Sequence, residues 1–236
     1  MQEIKKIKRI SIWIFIIPFI AVNLCLLIVT NFHQILPQIA KVGQTFPYID
    51  GGISISRAAR FFPTYLIFKP SMFVTAYLLF IYWRSNFKLL QNFNVNKKFL
   101  RYFLFFGISS AICLVLHSIF LGVKFDFDLY KIFRRAILLL FIIFEIAAQT
   151  YLVITLYRVK YEIKKYINEN ILKFKIVLVS ILIITALISL PFVIREGNIA
   201  FKHILEWDYF LGVILFYFLT FMMWKKENPI HTPRGV

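Results

Sequence analysis

Apolar runs of about twenty residues return six times along this chain, and no other feature constrains its fold as tightly. A helix of that length crosses the roughly 30 Å hydrocarbon core of a bilayer, and it meets its own backbone hydrogen-bonding needs there. The runs predict spans over Ile10–Thr30, Thr64–Trp83, Tyr102–Val123, Ile132–Tyr157, Ile176–Ile194 and Trp207–Trp224. Pro18, Pro70 and Pro191 fall in or near spans, where packed neighbours tolerate the backbone groups each proline frees. The expected fold is therefore all-α. It is a polytopic membrane bundle of six transmembrane helices forming one domain over residues 1–236, with an extracytoplasmic loop at 31–63.

Composition agrees. The chain is 60% hydrophobic and 19% aromatic, and its mean hydropathy is +0.76. A soluble domain of this size carries more charge. The first run is too long for a signal-peptide core and lacks a small-residue cleavage site, so it reads as a retained span. The two cysteines, Cys25 and Cys113, lie in apolar runs and read as buried hydrophobes rather than a disulfide.

The net charge of +17 would suggest nucleic acid in a soluble protein. Here the basic residues cluster at span ends, which excludes that class in favour of orientation and anionic headgroups. The N-terminal segment, the second-to-third connection, the fourth-to-fifth connection (Arg158, Lys160, Lys164, Lys165, Lys173, Lys175) and the tail (Lys225, Lys226, Arg234) hold most of the 28. The richer side should be cytoplasmic. With an even number of spans, both termini lie there. Trp13, Trp83 and Trp224 are expected at the inner interface and Trp207 at the outer one. Aromatic residues of the first loop (Phe46, Tyr48, Phe61, Phe62) and Ile49 predict an ordered segment on the bilayer surface.

Several polar residues carry candidate chemistry. Glu145 sits mid-span among leucine, isoleucine and phenylalanine. A charge at a helix centre costs about 2.5–3.5 kcal/mol on insertion scales, so such a residue faces the bundle interior. Gln149, one turn on, is placed to hydrogen-bond it. Ser109, Ser110, Cys113 and His117 form a polar stripe. As a base, His117 would need a carboxylate such as Asp50, Asp126 or Asp128. The first loop carries Asp50, Gly51 and Gly52, then Arg57 and Arg60. Adjacent glycines can form an anion-binding concavity, and arginines fork onto phosphate. Glu206 and Asp208 bracket Trp207 nearby. No metal is expected: HExxH and CxxC are absent, and His33, His203 and His231 are isolated. No cofactor is called for, and no oligomeric state is specified.

Two segments resemble the Frag/DRAM/Sfk family of six-span membrane proteins, which includes damage-regulated autophagy modulators and GPI-anchor remodelling proteins. Phe46-Pro47-Tyr48-Ile49-Asp50, with Pro63 and Ile67-Phe68 following, is similar to that family's first-loop pattern. Glu206-Trp207, with Gly212 and the run from Phe216 to Phe221, is similar to its last span. The serine before the loop acid is missing, and Thr64 replaces a glutamate. The resemblance implies a lipid-linked role in anchor remodelling, leaflet organisation or autophagic membranes.

The residues and the resemblance together predict binding or remodelling of phospholipids or lipid anchors from the outer leaflet. Asp50, Arg57, Arg60 and Glu206 would serve the headgroup, and the partners would be anionic or phosphate-bearing lipids. Two alternatives stand beside it. One is an intramembrane acyl transferase or hydrolase using His117 and a carboxylate. The other is a small proton-linked transporter using Glu145. The membrane would be the inner one in a bacterium, or an endomembrane or plasma membrane in a eukaryote.

Overall fold

The computed structural model describes residues 2–32, 43–93, 95–123, 128–194 and 197–225, with the backbone alone at 128, 131, 190, 193 and 194. Among these residues six helices are long and apolar enough to cross a membrane. They are α1 (Gln2–Asn31), α3 (Thr64–Leu90), α4 (Lys97–Phe120), α5 (Asp128–Arg158), α7 (Glu169–Ile194) and α8 (Ile199–Met223). Two single-turn helices, α2 (Ile55–Ala58) and α6 (Lys160–Ile163), lie between them. The described residues contain no strand, only an isolated bridge between Ile167 and Trp224.

Most of the helices outrun the predicted spans. α1 begins eight residues before Ile10, and α7 begins at Glu169 rather than Ile176. The hydrocarbon boundary limits apolar sequence, but it does not end a helix. The ends are set locally, as at Asn96, whose side chain accepts the Lys98 N–H at the start of α4.

Each spanning helix packs on its neighbours in sequence, and α8 closes the ring on α1. Cross-contacts put the start of α1, the α6–α7 connection and the end of α8 on one face. There the Lys8 ammonium donates to the Trp224 carbonyl. The Asn168 N–H donates to Met223 O at 2.8 Å, and the Lys225 N–H to Tyr166 O at 2.9 Å. We call this the terminal face, and the opposite one the loop face.

Three of the four tryptophans turn inward, towards the bundle rather than away from it. Trp83, Trp207 and Trp224 are each 0% exposed, while Trp13 faces outward. On α3, Leu79, Tyr82, Trp83, Asn86 and Leu90 form one buried stripe at helical spacing. The Trp83 indole meets Tyr82 and Phe103 edge-on. It lies where any side chain at position 107 would stand: a Cβ there would come within 2.6 Å of the ring. Glycine at 107 is thus what lets α4 approach α3.

In the loop, Phe46, Ile49 and Phe62 are exposed, while Ile53, Ala58 and Ala59 are buried, so residues 43–63 close the loop face of the bundle. Gly51 adopts φ +63, and a Cβ there would overlap the Ala200 backbone. The adjoining contacts tie the loop to α8. His203 Nδ1 lies 2.7 Å from Gly51 O, and Trp207 Nε1 donates to Ile53 O at 2.8 Å. His203 thus sits on α8 and holds the loop, and among the described residues it belongs to no group of three metal-ligating side chains. His33, Asp126, Lys226, Glu227, His231, Arg234 and the side chain of Asp128 lie outside the described residues.

Candidate functional site

A cavity of about 80 Å³ runs along the bundle axis in its loop-facing half. Residues of α1, α3, α4, α5 and α8 line it, and Ile55 of α2 lies over it. On α8 the lining extends from Glu206 to Tyr217, eleven residues or roughly 16 Å at 1.5 Å per residue. The walls are mainly Ile, Leu, Val, Phe and Met. Left empty, such a space would forgo about 2 kcal/mol of packing at roughly 24 cal/mol per Å³.

Three of the sequence candidates line this one cavity: His117, Glu145 and Glu206. Glu145 is at its floor, 0% exposed. As the spacing predicts, Gln149 Nε2 donates to Glu145 Oε1 at 3.1 Å, and it also reaches Val213 O at 3.2 Å. The Tyr217 hydroxyl donates to the same Oε1. Ser110 Oγ lies 2.6 Å from Glu145 Oε2 and 2.9 Å from the Gly107 carbonyl. A hydroxyl has one hydrogen and cannot donate to both. A neutral Glu145 resolves this: its own O–H serves Ser110, Ser110 serves Gly107, and Tyr217 and Gln149 serve Oε1. The neutral acid also avoids burying a charge in an apolar bundle.

Glu206 is half-buried on the α8 wall, and its Oε1 accepts the Ser56 N–H at 3.1 Å. His117 is buried, and its Nδ1 has no hydrogen-bond partner. No described carboxylate bonds to it, so a catalytic orienting group is absent among the described residues. Arg60 sits just before α3, half-buried, with an unpartnered Nε. Burial first, then the nearby Arg134 and Arg57, lower its pKa, while Glu206 opposes them. Of these cations, Arg60 is the one that also acts on Glu206.

Asp50 and Arg57 stand apart from the cavity lining. Asp50 accepts the Thr45 hydroxyl at 2.5 Å and the Phe46 and Gly52 N–H groups at 2.8 Å. The Thr45 hydroxyl first, then the Gly52 amide, hold its carboxyl below the usual range. Its oxygens are thus occupied in shaping the turn. The Arg57 N–H is capped by Ser54 Oγ at 3.1 Å, and its side chain is exposed. Lys69 reaches the Ile119 carbonyl at 3.4 Å, not the loop acids.

Lys175 is the main surprise. Counted by sequence among exposed flanking charges, it is 0% exposed. Its Nζ donates to Thr220 Oγ1 at 2.7 Å and lies 3.9 Å from the Phe216 ring centre. Thr220 Oγ1 also lies 3.3 Å from the Tyr82 hydroxyl. The signal was present in the pattern: Leu172, Lys175, Val179 and Leu182 share one face of α7, and all are buried. Among the described residues no group of three His, Cys, Asp or Glu side chains converges to hold a metal.

Comparison with protein-family models, curated proteins and solved structures returns no match for this chain.

Proposed function

We propose that this multi-pass membrane protein binds, or helps remodel, phospholipids or lipid anchors, working from the outer leaflet. The observation that carries the reading is the narrow apolar cavity beneath the loop, with cationic Arg60 beside its polar wall. The length and apolar lining of the slot match an acyl chain in chemistry, and guanidinium groups recognise phosphate. The loop face is taken as lumenal or periplasmic, because the basic connections lie on the terminal face. Arg57 and Arg60 engage the headgroup, Glu206 and His117 shape the polar end, and Asp50 holds the loop in place. The similarity of the Phe46–Asp50 and Glu206–Trp207 segments to the Frag/DRAM/Sfk family points the same way.

Native mass spectrometry of detergent-purified protein tests this, comparing wild type with the double variant Arg57→Ala, Arg60→Ala. Co-purified phospholipid should fall clearly in the variant. Equal retention would refute the headgroup assignment.

A further inference from the structure

The charges around the cavity mouth are of both signs, and this narrows the ligand. Arg60 carries a buried Nε with no partner, and Arg134 and Arg57 act on it electrostatically. Within the same group Glu206 lines the cavity itself. The Ser56 N–H is the donor that reaches its Oε1, at 3.1 Å. A purely anionic headgroup would satisfy the guanidinium groups but set like charge against Glu206. A simple amine would pair with Glu206 but meet Arg60, which Arg57 and Arg134 reinforce. A zwitterion satisfies both, and His117 Nδ1, buried and unpartnered on the opposite wall, offers a hydrogen bond to a phosphate or ester oxygen. The lining from Glu206 to Tyr217, roughly 16 Å, is mainly apolar, so the zwitterion should carry an acyl chain.

We propose that the cavity selects phospholipids whose headgroup joins a phosphate to an amine, as in phosphatidylethanolamine, over purely anionic lipids such as phosphatidylglycerol. The phosphate lies against Arg60, the ammonium against Glu206, and one acyl chain descends towards Glu145. The inference rests on the lipid-binding reading above.

The test is lipid retention by native mass spectrometry from micelles doped with equal amounts of phosphatidylethanolamine and phosphatidylglycerol, for wild type and Glu206→Gln. Wild type should favour phosphatidylethanolamine by about fivefold, equivalent to roughly 1 kcal/mol for a partly exposed ion pair. Glu206→Gln, which keeps an acceptor for Ser56, should bring the ratio to about one while still retaining lipid. Equal or greater wild-type retention of phosphatidylglycerol would overturn the selectivity. So would an unchanged ratio in a folded Glu206→Gln variant. If that variant fails to fold, the wild-type ratio decides alone. Displacement of the lipid by millimolar soluble phosphoethanolamine would overturn the role given to the acyl chain. Lipid retained without preference sinks this inference alone; no retained lipid sinks the function proposed above with it.

Discussion

Replacing Glu145 separates a neutral acid from a buried carboxylate. In Glu145→Gln the new amide N–H can donate to Ser110 Oγ, and the amide oxygen can accept from Tyr217 and Gln149. Every bond of the neutral acid is reproduced, so the loss should stay below about 1 kcal/mol. Glu145→Ala leaves the Tyr217 hydroxyl and one Gln149 N–H without an acceptor, whereas Ser110 keeps its bond to Gly107. Interhelical bonds in membranes average about 0.6 kcal/mol and reach about 1.7. Two of them, plus the void left by the deleted side chain, come to about 3 kcal/mol. At about 2–4 °C per kcal/mol for a chain this long, thermal unfolding in detergent should drop by about 6–12 °C for alanine and less than about 4 °C for glutamine. A glutamine variant as unstable as the alanine one would refute the neutral assignment, because it would mean that the negative charge itself is being held.

Three further outcomes follow from the packing. Gly107→Ala drives a methyl group into the Trp83 ring and should cost about 1–3 kcal/mol, read as a lower melting temperature with altered tryptophan fluorescence. Lys175→Met should be neutral or stabilising in the same melt, since it removes a buried ammonium whose described partners are one hydroxyl and one ring; a large loss would show that the charge is needed. The depressed pKa of Asp50 makes its contribution to the loop full above the ordinary carboxylate value near 4 and lost as pH falls through the lower folded value. Limited proteolysis within residues 43–63 should therefore rise in that acid window for wild type, and at neutral pH for Asp50→Ala.

The spans were legible because a bilayer demands about twenty apolar residues whatever the tertiary contacts. The Glu145–Gln149 pair was legible because both lie on one helix, one turn apart. What sequence reading missed depends on neighbours that only the closed ring brings together. Ser110 and Tyr217 meet Glu145 from α4 and α8. Residue type speaks to the depth of Trp83, but only Gly107 on another helix shows why its ring turns into the bundle. Lys175 was assigned by its charge, although its register with Leu172 and Val179 already pointed inward. The His203 contact was not legible because its partner, the Gly51 carbonyl, belongs to backbone that carries no side-chain signal.

An acyl chain inside the ring is the point on which the functional account turns. Photo-crosslinking with a phospholipid bearing a diazirine on its acyl chain, followed by peptide mapping, tests it directly. Adducts should fall on Met72, Phe141 and Phe210, which line the cavity. Adducts confined to outward-facing residues such as Leu187 and Ile188 would contradict it.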